Sequence, residues 1–335
     1  MPSTLPGVPD IDEQLATSIV ERLGVIEERL RESVATSDDM VRWTGRHLMD
    51  AGGKRVRPML VLLAASLGDV EADGVLDAAV LVELTHLASL YHDDVMDSAP
   101  TRRGTDSAHA LWGNNVAILT GDFLFARASG LSARIGADAV RLHSETFERL
   151  CLGQLHETVG PKADDDPFDH YISVLADKTA SLLALAGGLG ASLAGAPEGS
   201  ADVMRRYGEK IGVAFQLADD VLDLESDAST SGKTPGIDLR EGVPTMPTLL
   251  VRHRAAHQQD PGSLDLVSRL DGDLSSDAAL DQVVALLRED PALEETRALA
   301  QGTADDAVEI LQELPEGPVR DALTAFTRTL VERSS

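Results

Sequence analysis

Carboxylates are grouped in two clusters of the same form, D-D-x-x-D, which lie far apart in the chain. Their members are Asp93, Asp94 and Asp97 in the first cluster and Asp219, Asp220 and Asp223 in the second. In a helix, the first and fifth residues of such a run share one face, so their carboxylates repel each other unless a cation lies between them. Two facing clusters would form a cage of hard oxygen ligands, which suits Mg²⁺ carrying a phosphorylated substrate. A helix end that frays into solvent is the ordinary alternative, but aspartates are disfavoured at a helix C-terminus.

Basic residues are also clustered, although the chain has 56 acidic and only 29 basic residues. Lys54, Arg55 and Arg57 follow a Gly-Gly turn, and Arg102 and Arg103 follow the first aspartate motif. Backbone N–H groups and cationic side chains at such a turn predict an anion site, and the arginine fork suits phosphate oxygens. The alternatives are a solvated basic loop in the first case and neutralisation of the nearby aspartates in the second.

Three further polar residues lie in positions that an anionic ligand would explain. His86 is two turns before the first motif on an apolar helix, where a satisfied core histidine is an equal alternative. Lys178, followed by Thr179, opens another apolar helix, where a cation is locally unfavourable. Lys233 lies in the long polar loop after the second motif and could close over a ligand, or could simply be exposed.

The elements that must position these residues are predicted to be helices throughout. Apolar residues recur at three- and four-residue spacing, aromatic residues make up only 3% of the chain, and no alternating strand pattern is evident. Residues 1–10 are predicted to be a flexible arm, and residues 11–335 a single all-α domain. Predicted helices cover 11–34, 37–50, 57–68, 73–97, 115–133, 137–159, 168–177, 179–195, 200–224, 244–256, 276–289, 292–313 and 317–332. Residues 226–247 and 258–277 are predicted to be connections.

Composition excludes several classes of protein. A net charge of −27 argues against binding of nucleic acid. The single cysteine, Cys151, rules out a disulfide framework within the chain and favours a reducing, cytoplasmic location. The N-terminal residues have no signal-peptide pattern, and no uninterrupted apolar run reaches 18 residues, so no membrane-spanning helix is predicted.

An ordered set of motifs between about residues 52 and 247 resembles the trans-polyprenyl diphosphate synthase family. The motifs are Gly-Gly-Lys-Arg-Val-Arg-Pro, Tyr-His-Asp-Asp-Val-Met-Asp, Arg-Arg-Gly, Gly-Asp-Phe-Leu-Phe, Asp-Lys-Thr and Phe-Gln-Leu-Ala-Asp-Asp-Val-Leu-Asp. The resemblance implies an isoprenoid synthase fold, in which helices surround a deep central cavity. It also implies a homodimer that uses Mg²⁺ to condense isopentenyl diphosphate with an allylic diphosphate.

The resemblance implies a role for each matched residue. Three Mg²⁺ ions would be bound by Asp93, Asp97 and Asp219, with Asp94, Asp220 and Asp223 in support. The allylic diphosphate would be contacted by Arg102, Lys178 and Lys233, with Thr179 and Gln216 nearby. Isopentenyl diphosphate would be held by Lys54, Arg57, His86 and Arg103. Val243 replaces a lysine found in many members of the family, which makes Lys233 more important.

Product length is expected to depend on the helix face below the first motif. Ala88 and Ser89 are small, and Thr85 and Val82 lie one and two turns deeper. Short-chain members of the family often carry aromatic residues just before the motif, so the small side chains here predict a long product. The resemblance to the family implies six to ten isoprene units (C30–C50). Phe123, Phe125 and Phe147 are candidates for the floor of the cavity.

Two other functions are compatible with the same residues. One is a short-chain synthase that makes farnesyl or geranylgeranyl diphosphate. The other, more remote, is a non-catalytic partner subunit of a heteromeric synthase, although such a subunit would be expected to lose its aspartate or basic motifs. A terpene cyclase is disfavoured because its second metal motif is expected to be asymmetric. Release of a lipid product makes transient membrane contact plausible.

Overall fold

The computed structural model describes residues 11–36, 38–225, 235–258 and 260–332, which are predominantly α-helical. The helices are α1 (Glu13–Ser33), α2 (Asp39–Asp50), α3 (Val56–Ala65), α4 (Val75–Met96), α5 (Ala108–Trp112), α6 (Asn114–Ile135), α7 (Ala137–Val159), α8 (Pro167–Leu175), α9 (Ser181–Leu193), α10 (Ser200–Glu225), α11 (Ile237–Glu241), α12 (Met246–Gln258), α13 (Pro261–Leu270), α14 (Asp277–Glu289), α15 (Pro291–Leu311) and α16 (Pro318–Glu332). A turn of π-helix (Ala176–Ala180) joins α8 to α9, and strands β1 (Thr101–Arg102) and β2 (Thr105–Asp106) form a short hairpin.

The predicted all-α class is confirmed, and each predicted helix is present with ends displaced by a few residues. The predictions that residues 226–247 and 258–277 form only connections are wrong, because α11 lies within the first range and α13 within the second. Asp260 caps this helix by accepting a hydrogen bond from Ser263 N at 2.7 Å, and Pro261 occupies its first turn. The hairpin was missed because two-residue strands are too short to show an alternating pattern.

Several helices begin at capping side chains that are visible in the sequence. Asp12 accepts a hydrogen bond from Leu15 N at 3.0 Å, and Asp38 accepts one from Val41 N at 3.1 Å. Such caps satisfy N–H groups that have no partner inside the helix and stabilise it by about 1 kcal/mol each.

The first of two compact units comprises the residues up to Glu148, together with Ser181–Gly208 and Glu309–Phe326. Its core is built on α4, which is buried on nearly all sides and packs most extensively against α6. Helix α3 packs against α9, and a Cβ at Gly190 would overlap the carbonyl of Val61. Gly190 therefore allows α3 and α9 to pack closely.

The second unit comprises Arg149–Ala180, Glu209–Val308 and the residues from Thr327 onward. Its apolar core is shared by α10 to α15 and lies beside the second aspartate motif. Members of this core include Val221, Leu224, Leu239, Val251, Leu266, Leu280, Leu287 and Leu293. The assignment of residues 11–335 to one domain stays a prediction, and the predicted arm lies outside the described residues.

Two helical stretches, Asn114–Ile135 and Pro167–Leu193, have the length and hydropathy of a membrane span. Within the second stretch, 67% of the most apolar window is buried in the protein. Core helices of globular proteins share this length and composition, so these stretches are weak evidence for a membrane span.

Candidate active site

The first aspartate motif forms the C-terminal turn of α4, and its three carboxylates differ in environment. Asp93 is half-buried and Asp97 exposed, one turn apart on the same side of the helix. Asp94 is completely buried and accepts a hydrogen bond from Arg102 Nε at 2.6 Å. Burial raises the pKa of Asp94, and the charge of Arg102 opposes this increase. Asp94 therefore holds Arg102, whereas Asp93 and Asp97 keep the one-turn spacing from which the sequence predicts a metal site.

The β1–β2 hairpin connects this acidic helix end to the basic loop before α3. Its turn is made by Arg103 and Gly104, both with positive φ, as a two-residue hairpin turn requires. Arg102 on β1 points to Asp94, whereas Arg103 donates hydrogen bonds to the carbonyls of Leu48, at 2.8 Å, and Gly52. Arg102 and Arg103 are adjacent in sequence but contact two different parts of the first unit. The hairpin thereby brings the predicted anion-binding residues together.

The basic loop is organised by Arg55, which is buried and adopts a left-handed backbone conformation. Its guanidinium donates hydrogen bonds to Glu27 on α1, to Glu83 on α4 at 2.9 Å and to the carbonyl of Met49 at 3.1 Å. Because Arg55 is fully occupied in this way, it fixes the loop and leaves exposed Lys54 and half-buried Arg57 to present their charges.

The surroundings of His86 are strongly electropositive. Burial and the charges of Arg57, Arg103, Arg55 and Arg102 lower the pKa of His86 well below 6.5, so the imidazole is neutral. Burial lowers the pKa of Arg57 to about 10, and its Nε is buried without a hydrogen-bond partner. A buried donor without a partner is costly unless a ligand completes it. This cluster therefore fits an anion.

Glu83 is a functional residue that the sequence analysis missed. It is buried on α4, accepts the hydrogen bond from Arg55 and lies 4.0 Å from Arg103 Nη2. Together with Glu27, which also binds Arg55, Glu83 supplies the negative charge that orients this group of arginines. The basic charges near Glu83 outnumber these two carboxylates, so the cluster stays positive. The available signal was a glutamate within an otherwise apolar helix stretch, because a buried charge requires a partner.

The second aspartate motif lies on α10 in the second unit. Asp220 is buried and accepts hydrogen bonds from Tyr171 Oη at 2.6 Å and from Met246 N at 2.9 Å. Burial raises the pKa of Asp220 well above its usual range. Like Asp94, the second carboxylate of its motif is thus engaged by the protein and supports the local structure.

Asp219 and Asp223 are half-buried, and Asp223 lies close to Asp238 on α11, which the sequence analysis also missed. Burial, followed by the charges of Asp238 and Asp219, raises the pKa of Asp223 to about 7. Crowded carboxylates of this kind fit a hard divalent cation, which would relieve their repulsion. Within the ranges that the structure describes, no group of three or more His, Cys, Asp or Glu side chains already surrounds a common metal position.

Lys178 and Thr179 lie in the π-helical turn of the second unit. The prediction that Lys178 opens a new helix is wrong. Lys178 lies in the π-helical turn, inside a helical segment that runs without a break from Pro167 to Leu193. Lys178 Nζ forms an ion pair with Glu157 on α7, and Thr179 is buried. Gln216 is half-buried on α10, one turn before Asp219. Lys233 lies outside the described residues.

The residues expected to control product length line one stretch of α4. Val82, Thr85 and Ala88 are completely buried, and Ser89 is half-buried. Thr85 Oγ1 forms a hydrogen bond with His143 Nε2 at 2.9 Å, a polar contact not foreseen from the sequence. Of the candidate floor residues, Phe125 and Phe147 contact each other with ring centroids 4.2 Å apart, and Phe123 stacks on Arg127.

Comparisons with known proteins found a matching family model and similar proteins over nearly the whole chain. Residues 38–286 match the family model named polyprenyl synthetase. The chain is 39% identical to a nonaprenyl diphosphate synthase of Mycobacterium tuberculosis, and the alignment covers 99% of this chain and 98% of the relative.

Two solved structures resemble the fold closely, and both contain calcium and isoprenyl diphosphate. One is a polyprenyl synthase from Caulobacter crescentus CB15, with a TM-score of 0.86, 30% identity and coverage of 96% of this chain and 98% of the other. The second is a geranylgeranyl pyrophosphate synthase from Corynebacterium glutamicum, with a TM-score of 0.84, 39% identity and coverage of 97% and 99%.

Proposed function

The chain belongs to the polyprenyl synthetase family, and from this premise we propose that it is an all-trans polyprenyl diphosphate synthase with a long-chain product. In the proposed reaction, the bond between the allylic carbon and its diphosphate oxygen breaks, and the diphosphate leaves. The double bond of isopentenyl diphosphate attacks the allylic cation, and loss of a proton gives a product one isoprene unit longer. Bound Mg²⁺, with three ions expected, would neutralise the charge that develops on the leaving diphosphate.

The observation that carries this proposal is the linkage of an acidic and a basic site within the first unit. Asp94 holds Arg102, and the adjacent Arg103 contacts the loop that presents Lys54 and Arg57. A metal-binding pair of carboxylates and an anion-binding cluster are therefore joined through one hairpin. Such a pair of sites suits two diphosphate substrates, one bound through metal ions and the other bound directly by basic side chains.

We assign the substrate contacts accordingly. In the first unit, Asp93 and Asp97 bind Mg²⁺, Arg102 contacts the allylic diphosphate, and isopentenyl diphosphate is held by Lys54, Arg57, His86 and Arg103. In the second unit, Asp219 and Asp223 bind Mg²⁺, and the allylic diphosphate is contacted by Lys178, Thr179, Gln216 and Lys233. The neutral His86 offers a hydrogen bond, and the arginines supply the charge.

A long product is supported by the small side chains of Ala88 and Ser89 and by the nonaprenyl diphosphate synthase relative. A geranylgeranyl-length product is the second candidate. It is supported by the geranylgeranyl pyrophosphate synthase neighbour and by the polar contact between Thr85 and His143, which lies about 12 Å along α4 from Asp93. A polar contact at that depth would oppose the passage of an apolar tail.

Product analysis with the isolated chain tests the function. The protein is incubated with Mg²⁺, labelled isopentenyl diphosphate, and geranyl, farnesyl or geranylgeranyl diphosphate as primer. We expect elongation to C30 or longer from at least one primer, and no elongation after chelation of the metal. Accumulation of the C20 product would instead support the second candidate. Failure of the isolated chain with every primer would contradict the synthase and favour a partner subunit.

The control of product length is tested by placing a larger side chain on the face of α4 that precedes the first aspartate motif. Replacement of Ala88 by Phe should shorten the product by about one isoprene unit for each helix turn blocked, and a turn rises about 5.4 Å. The product is identified by reversed-phase chromatography after dephosphorylation. Ala133→Phe, at an exposed position of α6, is the matched control and should leave product length unchanged. An unchanged product from a folded Ala88→Phe variant would show that Ala88 does not line the cavity.

We further propose that the protein is a cytoplasmic homodimer that contacts membranes transiently to release its product. Exposed apolar side chains on α6, including Ile118 and Leu119, support self-association. The single cysteine is compatible with a reducing compartment. The proposed product has a water-soluble diphosphate head and an apolar tail. The apolar tail favours delivery of the product directly to a bilayer.

A further inference from the structure

The helical segment from Pro167 to Leu193 is interrupted by the π-helical turn that carries Lys178 and Thr179. A π-helical turn adds a residue relative to an α-helical turn, so it rotates the side chains that follow by about 100°. Such turns are rare and are found most often at functional sites. Because the conformation is intrinsically unfavourable, neighbouring elements must hold it.

Two glycines allow the neighbouring helices to approach the turn closely. A Cβ at Gly153 on α7 would lie 2.7 Å from the backbone nitrogen of Lys178 and 3.0 Å from Cβ of Asp177. A Cβ at Gly212 on α10 would overlap the backbone of Ala180. The backbone of the turn is therefore in contact with both helices, and its position is sensitive to small changes on either side.

Arg149 lies one helical turn before Gly153 on α7 and fastens the start of the π-turn. Its Nε donates a hydrogen bond to Asp177 Oδ1 at 2.7 Å, and its Nη2 donates one to the carbonyl of Ala176 at 3.3 Å. The same guanidinium binds both carboxylate oxygens of Glu209 on α10, one of them at 3.1 Å. The hydrogen bond to Glu209, and after it the hydrogen bond to Asp177, raises the pKa of Arg149 above its already high usual value, although burial opposes the increase.

We propose that Arg149 is a positioning residue for the transfer reaction, which acts by holding the π-turn so that Lys178 and Thr179 are presented to the allylic diphosphate. Asp177 immediately precedes Lys178, so Arg149 binds the carboxylate and the backbone directly before the cation. A planar fork with five donors can bind Asp177, Ala176 and Glu209 together, whereas a lysine cannot. This role rests on the proposed function, and it concerns a residue that no sequence motif identified.

The test compares Arg149→Gln with Arg149→Lys in steady-state assays of prenyl transfer. We expect Arg149→Gln to raise KM for the allylic diphosphate about tenfold and to lower kcat, because Lys178 contacts the group that leaves. KM for isopentenyl diphosphate should stay within about twofold, because Arg149 contacts none of the residues assigned to that substrate. Arg149→Lys should recover part of the loss. Arg141→Gln, on the exposed side of the same helix and paired with Glu145, is the control and should match the wild type.

A double variant separates positioning from a general structural role. If Arg149 acts through Lys178, Arg149→Gln combined with Lys178→Ala should be no more than about twofold worse than Lys178→Ala alone. Multiplication of the two losses, or an unchanged allylic KM in folded Arg149→Gln, would overturn the proposal. If circular dichroism shows that Arg149→Gln does not fold, Asp177→Ala removes one hydrogen-bond acceptor of Arg149 and is judged by the same criteria. A wild-type protein without elongation activity would contradict the proposed function itself.

Discussion

Buried charged residues on α4 illustrate how single side chains prepare the site. Glu83 and Asp94 point into the protein, where each binds an arginine that belongs to a predicted substrate-binding motif. Neither carboxylate is itself well placed to meet substrate. Each fixes the orientation of a guanidinium that would otherwise sample many rotamers, so the binding charges are arranged before the ligand arrives.

Removal of the Glu83 charge should destabilise the protein. In Glu83→Gln, the arginines around the buried position lose their counter-charge, and a loss of about 3 kcal/mol in the free energy of unfolding is expected. Urea denaturation monitored by circular dichroism measures the change. Glu28→Gln, at an exposed position of α1, should differ from the wild type by less than about 0.5 kcal/mol. Equal stability of the two variants would contradict the structural role of Glu83.

His143 should make stability depend on pH in a defined direction. Burial lowers the pKa of His143 below 6.5, so the unfolded chain binds this proton more readily than the folded chain. Its contribution is therefore complete above about pH 6.5 and is lost as the pH falls, by at most about 1.4 kcal/mol per pH unit.

The His143→Gln variant isolates this contribution, because other titrating groups are common to both proteins. The difference in unfolding free energy between wild type and variant should decrease from pH 7 to pH 5.5, as shown by urea titrations at each pH. A difference that stays constant over this range would show that His143 does not titrate as its burial indicates.

Among the elements, the β1–β2 hairpin has an influence out of proportion to its size. Its four strand residues and two-residue turn direct one arginine to Asp94 and the next to the carbonyls of Leu48 and Gly52. The separation of Arg102 and Arg103 depends on the backbone of the turn, where Gly104 has a φ of 75°. The geometry of two proposed binding sites therefore depends on the left-handed conformations of Arg103 and Gly104, of which the glycine adopts its own without strain.

Replacement of Gly104 by Ala tests this dependence. A Cβ at positive φ is expected to cost about 1 kcal/mol, although no neighbouring atom would be displaced. We expect KM for isopentenyl diphosphate to rise severalfold as Arg103 shifts. Gly130→Ala, in the exposed interior of α6, is the matched control and should stabilise the protein by about 0.5–1 kcal/mol. Identical kinetics in both variants would indicate that the turn does not control the site.

For the whole molecule, surface composition is informative. The net charge of −27 disfavours non-specific association, so exposed apolar groups stand out as candidates for specific contact. Helix α6 exposes Leu119 to 66% beside Ile118, and these residues lie in the first unit. A helix long enough to be a core element but apolar on its outer face favours burial against a second copy of the chain.

Leu119→Glu should therefore convert the proposed dimer into a monomer. The mass is measured by size-exclusion chromatography with multi-angle light scattering at several protein concentrations. Leu264→Glu, on α13 with 49% exposure, introduces the same charge elsewhere and should leave the dimer intact. A wild-type protein that is monomeric at all concentrations would contradict the proposal, as would a Leu119→Glu variant that remains dimeric.

The amino-acid sequence by itself determined the helical class, the approximate helix limits and the identity of the two aspartate motifs. These features follow from local periodicity, caps and spacing, and periodicity survives in any tertiary context. The small residues Ala88 and Ser89 and the basic Gly-Gly loop could also be recognised from the sequence, because residue type and position along the chain were sufficient.

Only the tertiary structure decided which charged groups work together. The hydrogen bond of Asp94 with Arg102, that of Asp220 with Met246 N, the burial of Glu83 against Arg55, the proximity of Asp238 to Asp223 and the hydrogen bonds of Arg149 to the π-turn all join residues that are not adjacent in sequence. Within one D-D-x-x-D motif, the three carboxylates look alike until neighbouring elements bury one of them. Burial and partner charge govern ionisation and orientation, and both depend on packing that no local pattern encodes.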